Sequence, residues 1–223
     1  MAHRGLRSRG VIVLASGGIE SAVLLARLAR GARRVIPVYV RSGHAWEGRE
    51  RAALARFLKA AKLNSVAPLE EVALPVANGY GRRHWSVTLR QVPPARSRDE
   101  AVYLPGRNLF LLSGAALVAA RHGVRKLALG VLAGNPFADA KPSFFRAFER
   151  AARLAFGIPV RVAAPLGRLS KPQVIHLGRS LPLHLTWSCL RPVRSLHCGR
   201  CNKCAERKRG FRRSGLRDRT RYA

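Results

Sequence analysis

The chain has 223 residues, 48% of them hydrophobic, and carries 42 lysines and arginines against 11 acids, a formal net charge of +31. The apolar fraction supports a packed core and excludes a disordered chain, and no run approaches the roughly 18 apolar residues of a membrane helix. Such a charge attracts polyanions, nucleic acid among them, although the arginines are spread along the whole chain with abundant Ala, Gly and Leu, as a biased codon composition also gives.

The opening MAHRGLRSRG leads into a short strand rather than a signal-peptide core, so the expected location is the cytoplasm. Val11 to Ala15 reads as a buried strand. IESAVLLARLARG then has helical spacing, with Gly31 where a C-terminal cap belongs. RRVIPVYV is a second strand, and HAWEGRERAALARFLKAAK brings Trp46, Ala53, Leu54, Phe57, Leu58 and Ala61 to one face of a helix. SVAPLEEVAL offers a third strand, after which Pro75 to Glu100 is polar and turn-rich, a loop over a site. PGRNLFLLSGAALVAARHG, KLALGVL, PSFFRAFERAARLAFG and IPVRVAAPL alternate helix, strand, helix, strand. Ser170 caps KPQVIHLG, with Pro172 tolerated in its first turn.

This alternation predicts an α/β domain over residues 1–186, a doubly wound, mostly parallel sheet with helices on both faces. Residues 187–223 read as a metal-binding appendage with a basic tail, RKRGFRRSGLRDRTRY, expected to be a solvated, partly disordered end.

Two motifs carry chemistry. LASGGIES joins the first strand to the first helix, and a glycine-rich turn there exposes backbone N–H groups at a helix N-terminus, an anion cradle. It lacks the Gly-Lys-Ser/Thr of a Walker loop and the glycine spacing of a dinucleotide fingerprint. The second motif places Cys189, Cys198, Cys201 and Cys204 with eight, two and two residues between them. Two-residue spacings let thiolates converge on one ion, so a structural, four-coordinate Zn2+ is expected, with an iron–sulfur cluster as the rival. His197 reads as a neighbour of that site rather than a ligand, and Trp187 as a residue able to cover an adjacent pocket.

The loop resembles the PP-loop, Ser-Gly-Gly-x-Asp-Ser, of the ATP pyrophosphatases, which cleave ATP between the α and β phosphates. The resemblance implies ATP with Mg2+ at Ser16, Gly17, Gly18, Ile19, Glu20 and Ser21, with Glu20 standing where the family has Asp. Together with PGRN at Pro105 to Asn108, and with TWSC followed by LHCGRCNKC, it makes the chain similar to the 7-cyano-7-deazaguanine synthase family of the queuosine pathway, from about Val11 to about Phe211.

That family resemblance implies a carbon–nitrogen ligase and, as an assembly, a homodimer. ATP adenylates the carboxylate of 7-carboxy-7-deazaguanine, ammonia displaces AMP to give an amide, and further ATP activates the amide oxygen, which is expelled to leave a nitrile. Ser16, Glu20, Ser21, Asp139 and Lys141 would then serve the chemistry, and His44, Glu47, Arg107, Asn108 and Asp139 the substrate. His44 and Glu47 match a His-x-x-Glu, one residue farther from Tyr39 than in the family. Asp139 matches the first residue of an Asp-Cys-Arg segment in which Ala140 and Lys141 replace the other two. Arg to Lys loses bidentate recognition of a carboxylate or phosphate, so a different carboxylate acceptor stays open. Two further readings stay open: a PP-loop enzyme that sulfurates tRNA, and a non-enzymatic RNA-binding protein.

Overall fold

Alternate residues of the first two strands point to opposite faces, and both faces are apolar, as a parallel sheet covered on two sides requires. The computed structural model describes residues 10–32 and 34–223; the basic opening, apart from Gly10, lies outside them. The elements in chain order are β1 (Gly10–Leu14), α1 (Ile19–Ala29), β2 (Arg34–Arg41), α2 (Glu47–Ala61), β3 (Glu70–Ala73), a one-turn α3 (Trp85–Thr88), α4 (Arg107–His122), β4 (Lys126–Ala128), α5 (Pro142–Phe156), β5 (Arg161–Ala163), α6 (Lys171–Leu177) and α7 (Asn202–Ser214).

All strand pairs are parallel, and the order is β3-β2-β1-β4-β5. Ile12, Leu14, Ile36 and Val38 turn to one face and pack with Leu112, Ala116 and Phe148 of α4 and α5. Val11, Val13, Val35 and Tyr39 turn to the other, where Ile19, Leu24, Leu54, Ile175 and Phe211 of α1, α2, α6 and α7 cover them. The expected doubly wound α/β architecture is therefore present. The chain leaves β1 in one direction and returns on its other side at β4, so the order reverses beside β1, the place where ligands bind in open α/β sheets.

Two stretches differ from the sequence reading. Residues 75–100, read as loop, contain short helical turns at Ala77–Tyr80, Trp85–Thr88 and, beginning at Asp99, Asp99–Val102. The basic tail is not a solvated end: α7 runs through Ser214, and the chain then returns so that Tyr222 bridges to His197. Arg207 explains this order. It is fully buried, and its guanidinium donates to Thr220 Oγ1 at 2.8 Å, Thr186 Oγ1 at 2.8 Å and the Leu183 carbonyl at 2.7 Å, so one cation ties α7 to the 183–186 turn and to the chain end. No helix among the described residues is long and apolar enough to cross a membrane.

Candidate active site and metal centre

A cleft of about 570 Å³ opens at the carboxyl ends of β1, β2 and β4, within the size range of small-molecule sites. Its floor is the loop that Val11 to Leu14 deliver. Gly17 takes φ +75°, and a Cβ there would lie 2.7 Å from the Glu50 carbonyl oxygen, so only glycine lets the loop pass under α2. Gly18 begins α1 with no side chain capping the helix. The exposed amides and the positive end of the helix are thereby left for an anion. Ser16 Oγ donates to Ser21 Oγ at 3.4 Å, and Ser21 Oγ to the Gly18 carbonyl at 3.1 Å, which holds both hydroxyls against the loop. Gly130, after β4, presses on the start of α1: a Cβ there would meet Glu20 Cβ at 2.8 Å.

Of the residues singled out in the loop, Ser16, Gly18, Glu20 and Ser21 line the cleft. Ile19 is buried in the core beneath it, and the Gly17 carbonyl accepts from the Trp187 amide at 2.8 Å. Glu20 Oε1 accepts from Lys171 at the start of α6, and Lys171 Nζ also meets Glu206 Oε1 at 3.2 Å on α7, where Lys203 closes the chain at 2.7 Å. Burial works against the Lys171 charge, but the two carboxylates more than offset it and raise its pKa.

The opposite wall comes from α4 and the residues after β4. Arg107 and Asn108 begin α4, and Asp139 holds that beginning in place: its carboxylate accepts from the Asn108 amide at 2.9 Å and from Asn108 Nδ2 at 3.3 Å. Arg107, Asn108 and Asp139 all line the cleft, and Arg107 Nε is buried without a protein partner. Lys141 does not join them. Its ammonium donates to the Asn135 carbonyl at 2.6 Å and faces a separate hollow beside Pro142 and Arg168.

The wall from β2 and α2 also differs from the expected pair. Glu47 turns back to its own turn, accepting from the Gly43 amide at 2.7 Å and from Arg41 Nε at 3.4 Å. His44 is buried and stacks on Trp46, with centroids 4.9 Å apart and planes 6° from parallel; neither ring nitrogen has a partner. Burial, with Arg107 nearby, brings its pKa down to about 3, so the ring is neutral. Trp46, Trp85, Tyr39 and Glu50 face the cleft instead. Tyr39 Oη donates to Glu50 Oε2 at 2.9 Å; burial pushes Glu50 upward, with Arg107 opposing, and pushes the Tyr39 phenol well above its usual range. The helical phase carried the signal for Glu50, which lies four residues after Trp46 and three before Ala53, on the buried stripe of α2. Lys171 carried one too, since a cation in a first helical turn runs against the helix dipole.

Beyond Trp187 the four cysteines converge. All are buried and unpaired by disulfides, and their sulfurs lie within 4.8 Å of one another. Ligands about 2.3 Å from one tetrahedral ion sit about 3.8 Å apart, so the set can hold a metal ion. Backbone amides already point at the sulfurs: Arg191 and Cys198 donate to Cys189 Sγ at 3.3 and 3.2 Å, and Arg200 and Cys201 to Cys198 Sγ at 3.4 and 3.3 Å. His197 is buried beside them, its ring 4.2 Å from that of Trp187 and tilted 38° to it, and its Nε2 accepts from the Ser188 amide at 3.1 Å rather than joining the sulfurs.

A family model described as queuosine biosynthesis protein QueC matches residues 10–215, from β1 through the cysteines and α7. The chain belongs to the QueC family. Its QueC-type relatives include the 7-cyano-7-deazaguanine synthase of Anaeromyxobacter dehalogenans, 34% identical over all of both chains. That of Thiobacillus denitrificans is 34% identical over 95% of this chain and 97% of its own. Among solved structures, a 4-thiouridine synthetase in an RNA complex with bound ATP superposes with a TM-score of 0.52 at 15% identity, over 79% of this chain and 42% of that one. The last likeness is one of fold.

Proposed function

We propose that this QueC-family chain converts 7-carboxy-7-deazaguanine to 7-cyano-7-deazaguanine, using ATP and ammonia and releasing AMP and pyrophosphate. The observation that carries the reading is the uncapped start of α1, with Ser16 and Ser21 beside it, at the sheet's switch point and inside a cleft large enough for a nucleotide. The relatives' names and the family match support the substrate.

In this reading the amides at Gly18 and the start of α1, with the Ser16 and Ser21 hydroxyls, bind the phosphates. They stabilise the charge that builds on pyrophosphate as it leaves. Glu20 is the carboxylate placed to hold Mg2+ with ATP: one of its oxygens meets Lys171, and the other lies 3.7 Å from where a Gly18 Cβ would be, over the loop. Mg2+ would supply charge neutralisation of the phosphates. Arg107, unpartnered at Nε, orients an anionic group of nucleotide or substrate, and Asp139 acts through Asn108 by fixing the start of α4. Trp85, backed by the buried Trp46, lends the wall an apolar aromatic surface for a planar ring. Zn2+ is the metal we assign to the cysteines. Their crowding supports a single ion over a cluster, whose thiolates bind separate irons. Four protein ligands leave no open position, so its chemistry is structural. The homodimer is an expectation that rests on the family resemblance, and the cytoplasmic location one that rests on the opening sequence.

The test is product analysis by mass spectrometry with purified protein, Mg2+-ATP, ammonium and 7-carboxy-7-deazaguanine. Nitrile accumulating with AMP supports the reading. ATP cleaved to AMP without consumption of the deazapurine moves the chain to another carboxylate acceptor, and no AMP under any of these conditions overturns it.

A further inference from the structure

A second hollow, of about 460 Å³, lies behind the cleft and has no part in the proposed phosphate chemistry. Val131, Leu132, Gly134 and Asn135, on the strip that follows β4, line both spaces, so a single layer of chain divides them. The next turn straddles the division residue by residue: Asp139 faces the cleft, while Ala140 and Lys141 face the hollow. Lys141 Nζ, donating to the Asn135 carbonyl at 2.6 Å, sits at the border itself. The strip is neither helix nor strand, and Gly134 within it takes φ +72°.

The walls of the hollow are apolar, from Phe145 of α5 and from Val162 and Ala164 at β5. Its charged groups are Lys141 and Arg168, both exposed at the rim, and no carboxylate lines it among the described residues. A cation is repelled at such a rim, and beyond the rim the apolar walls give an anion nothing to bind. The space admits a small neutral molecule, and the reaction proposed above needs one. Ammonia must reach the adenylated carboxylate, which water would hydrolyse, so the mouth of the cleft has to be shut when the nitrogen arrives. Dissolved nitrogen at neutral pH is mostly ammonium, which has no lone pair. Two like charges at the rim disfavour that form, and its proton stays in bulk water.

We propose that this hollow is the inlet for the nitrogen nucleophile: neutral ammonia enters past Lys141 and Arg168 and crosses beside Asn135 to the acceptor in the cleft. Its lone pair forms the C–N bond as the C–O bond to AMP breaks. AMP takes that electron pair, and the surplus proton on nitrogen leaves with the phosphate. The inference rests on the proposed function.

The experiment measures two rates in the full chain. One is nitrile formation against ammonium concentration; the other is ATP–pyrophosphate exchange with 7-carboxy-7-deazaguanine and no ammonia, which reads adenylation alone. The wild type is compared with Ala164→Phe, which fills the hollow, Arg168→Trp, which covers its rim, and Lys141→Glu, which reverses a rim charge. The inference predicts KM for ammonium raised about 10-fold in both bulky variants, with exchange within about twofold of wild type. In Lys141→Glu, potassium becomes an inhibitor competitive with ammonium, while the wild type stays insensitive. Arg168 and Lys141 are exposed, so their variants decide the matter if Ala164→Phe fails to fold. An unchanged KM for ammonium in the folded bulky variants overturns the inference alone, as does an equal loss of exchange, which would make the hollow a mere support of the cleft. A wild type with neither exchange nor nitrile overturns the proposed function and the inference together.

Discussion

The metal centre and the cleft meet at Trp187, and they treat their polar atoms in opposite ways. Around the cysteines, four backbone amides already point at two of the sulfurs, the neighbouring Arg207 has acceptors on two segments, and the side-chain oxygen left unpaired there is Asn202 Oδ1. Across Trp187, the helix start at Gly18 is uncapped, and Arg107 Nε and both nitrogens of His44 are buried without partners. Buried polar atoms are ordinarily paired, so a closed set reports a unit built to be stable, and an open one a place prepared for something else. Stability is concentrated on one side of Trp187 and reactivity on the other, joined by the amide that Trp187 gives to Gly17.

The largest effect belongs to the closed side. Replacing Cys204 by Ser, or stripping the metal with a chelator, removes a contribution of about 10 kcal/mol in metal-binding free energy. Thermal melting is expected to lose its cooperative transition. An unchanged melt would place the metal outside the folding unit. On the open side, Ser16→Ala or Glu20→Gln should lower AMP release by about 100-fold to 1,000-fold while moving Tm by no more than a few degrees, since neither group supports the core. A matching collapse of Tm would erase the distinction between the two sides.

Smaller effects distinguish the two acids of α2. Glu50→Gln should raise KM for ATP or the deazapurine by about 10-fold, because the buried carboxylate meets the cleft, whereas Glu47→Gln should change it by about twofold or less. Equal effects would return Glu47 to the site.

His44 gives a pH signature. Its folded pKa, about 3, lies below the ordinary 6.5, so as pH falls the unfolded chain takes up the proton first. Its contribution is full above about pH 6.5 and declines toward pH 3, a loss of about 2 kcal/mol by pH 5. Denaturant titrations at pH 7 and 5 should show that loss, and His44→Phe should remove it.

Part of this was legible before folding. The strand, the glycines and the two hydroxyls of LASGGIES are consecutive in sequence, and the two-residue cysteine spacings are local, so neither depends on how distant elements dock. Glu47 was chosen over Glu50 because a motif fixes spacing but not the rotation of the helix that carries it. One turn of α2 separates an acid that serves its own turn from one that meets the cleft. The Lys171–Glu206 contact joins residues 35 apart on two helices, and only their packing reveals it. In the tail, Cys204, Arg207, Gly210 and Phe211 form a buried stripe at helical spacing, but an arginine within it made the stripe read as solvated surface.

The central claim, that the loop delivers adenylate to an acceptor carboxylate, is tested most directly with 7-carboxy-7-deazaguanine labelled with oxygen-18 at both carboxylate oxygens. Adenylation joins one of these oxygens to the α phosphorus, and attack of ammonia at the carbonyl expels it with AMP. The second leaves in the same way when the amide is dehydrated. The account predicts two molecules of AMP per nitrile, each carrying one heavy oxygen, with unlabelled pyrophosphate. Label in orthophosphate or pyrophosphate, or lost to water with none in AMP, would contradict it.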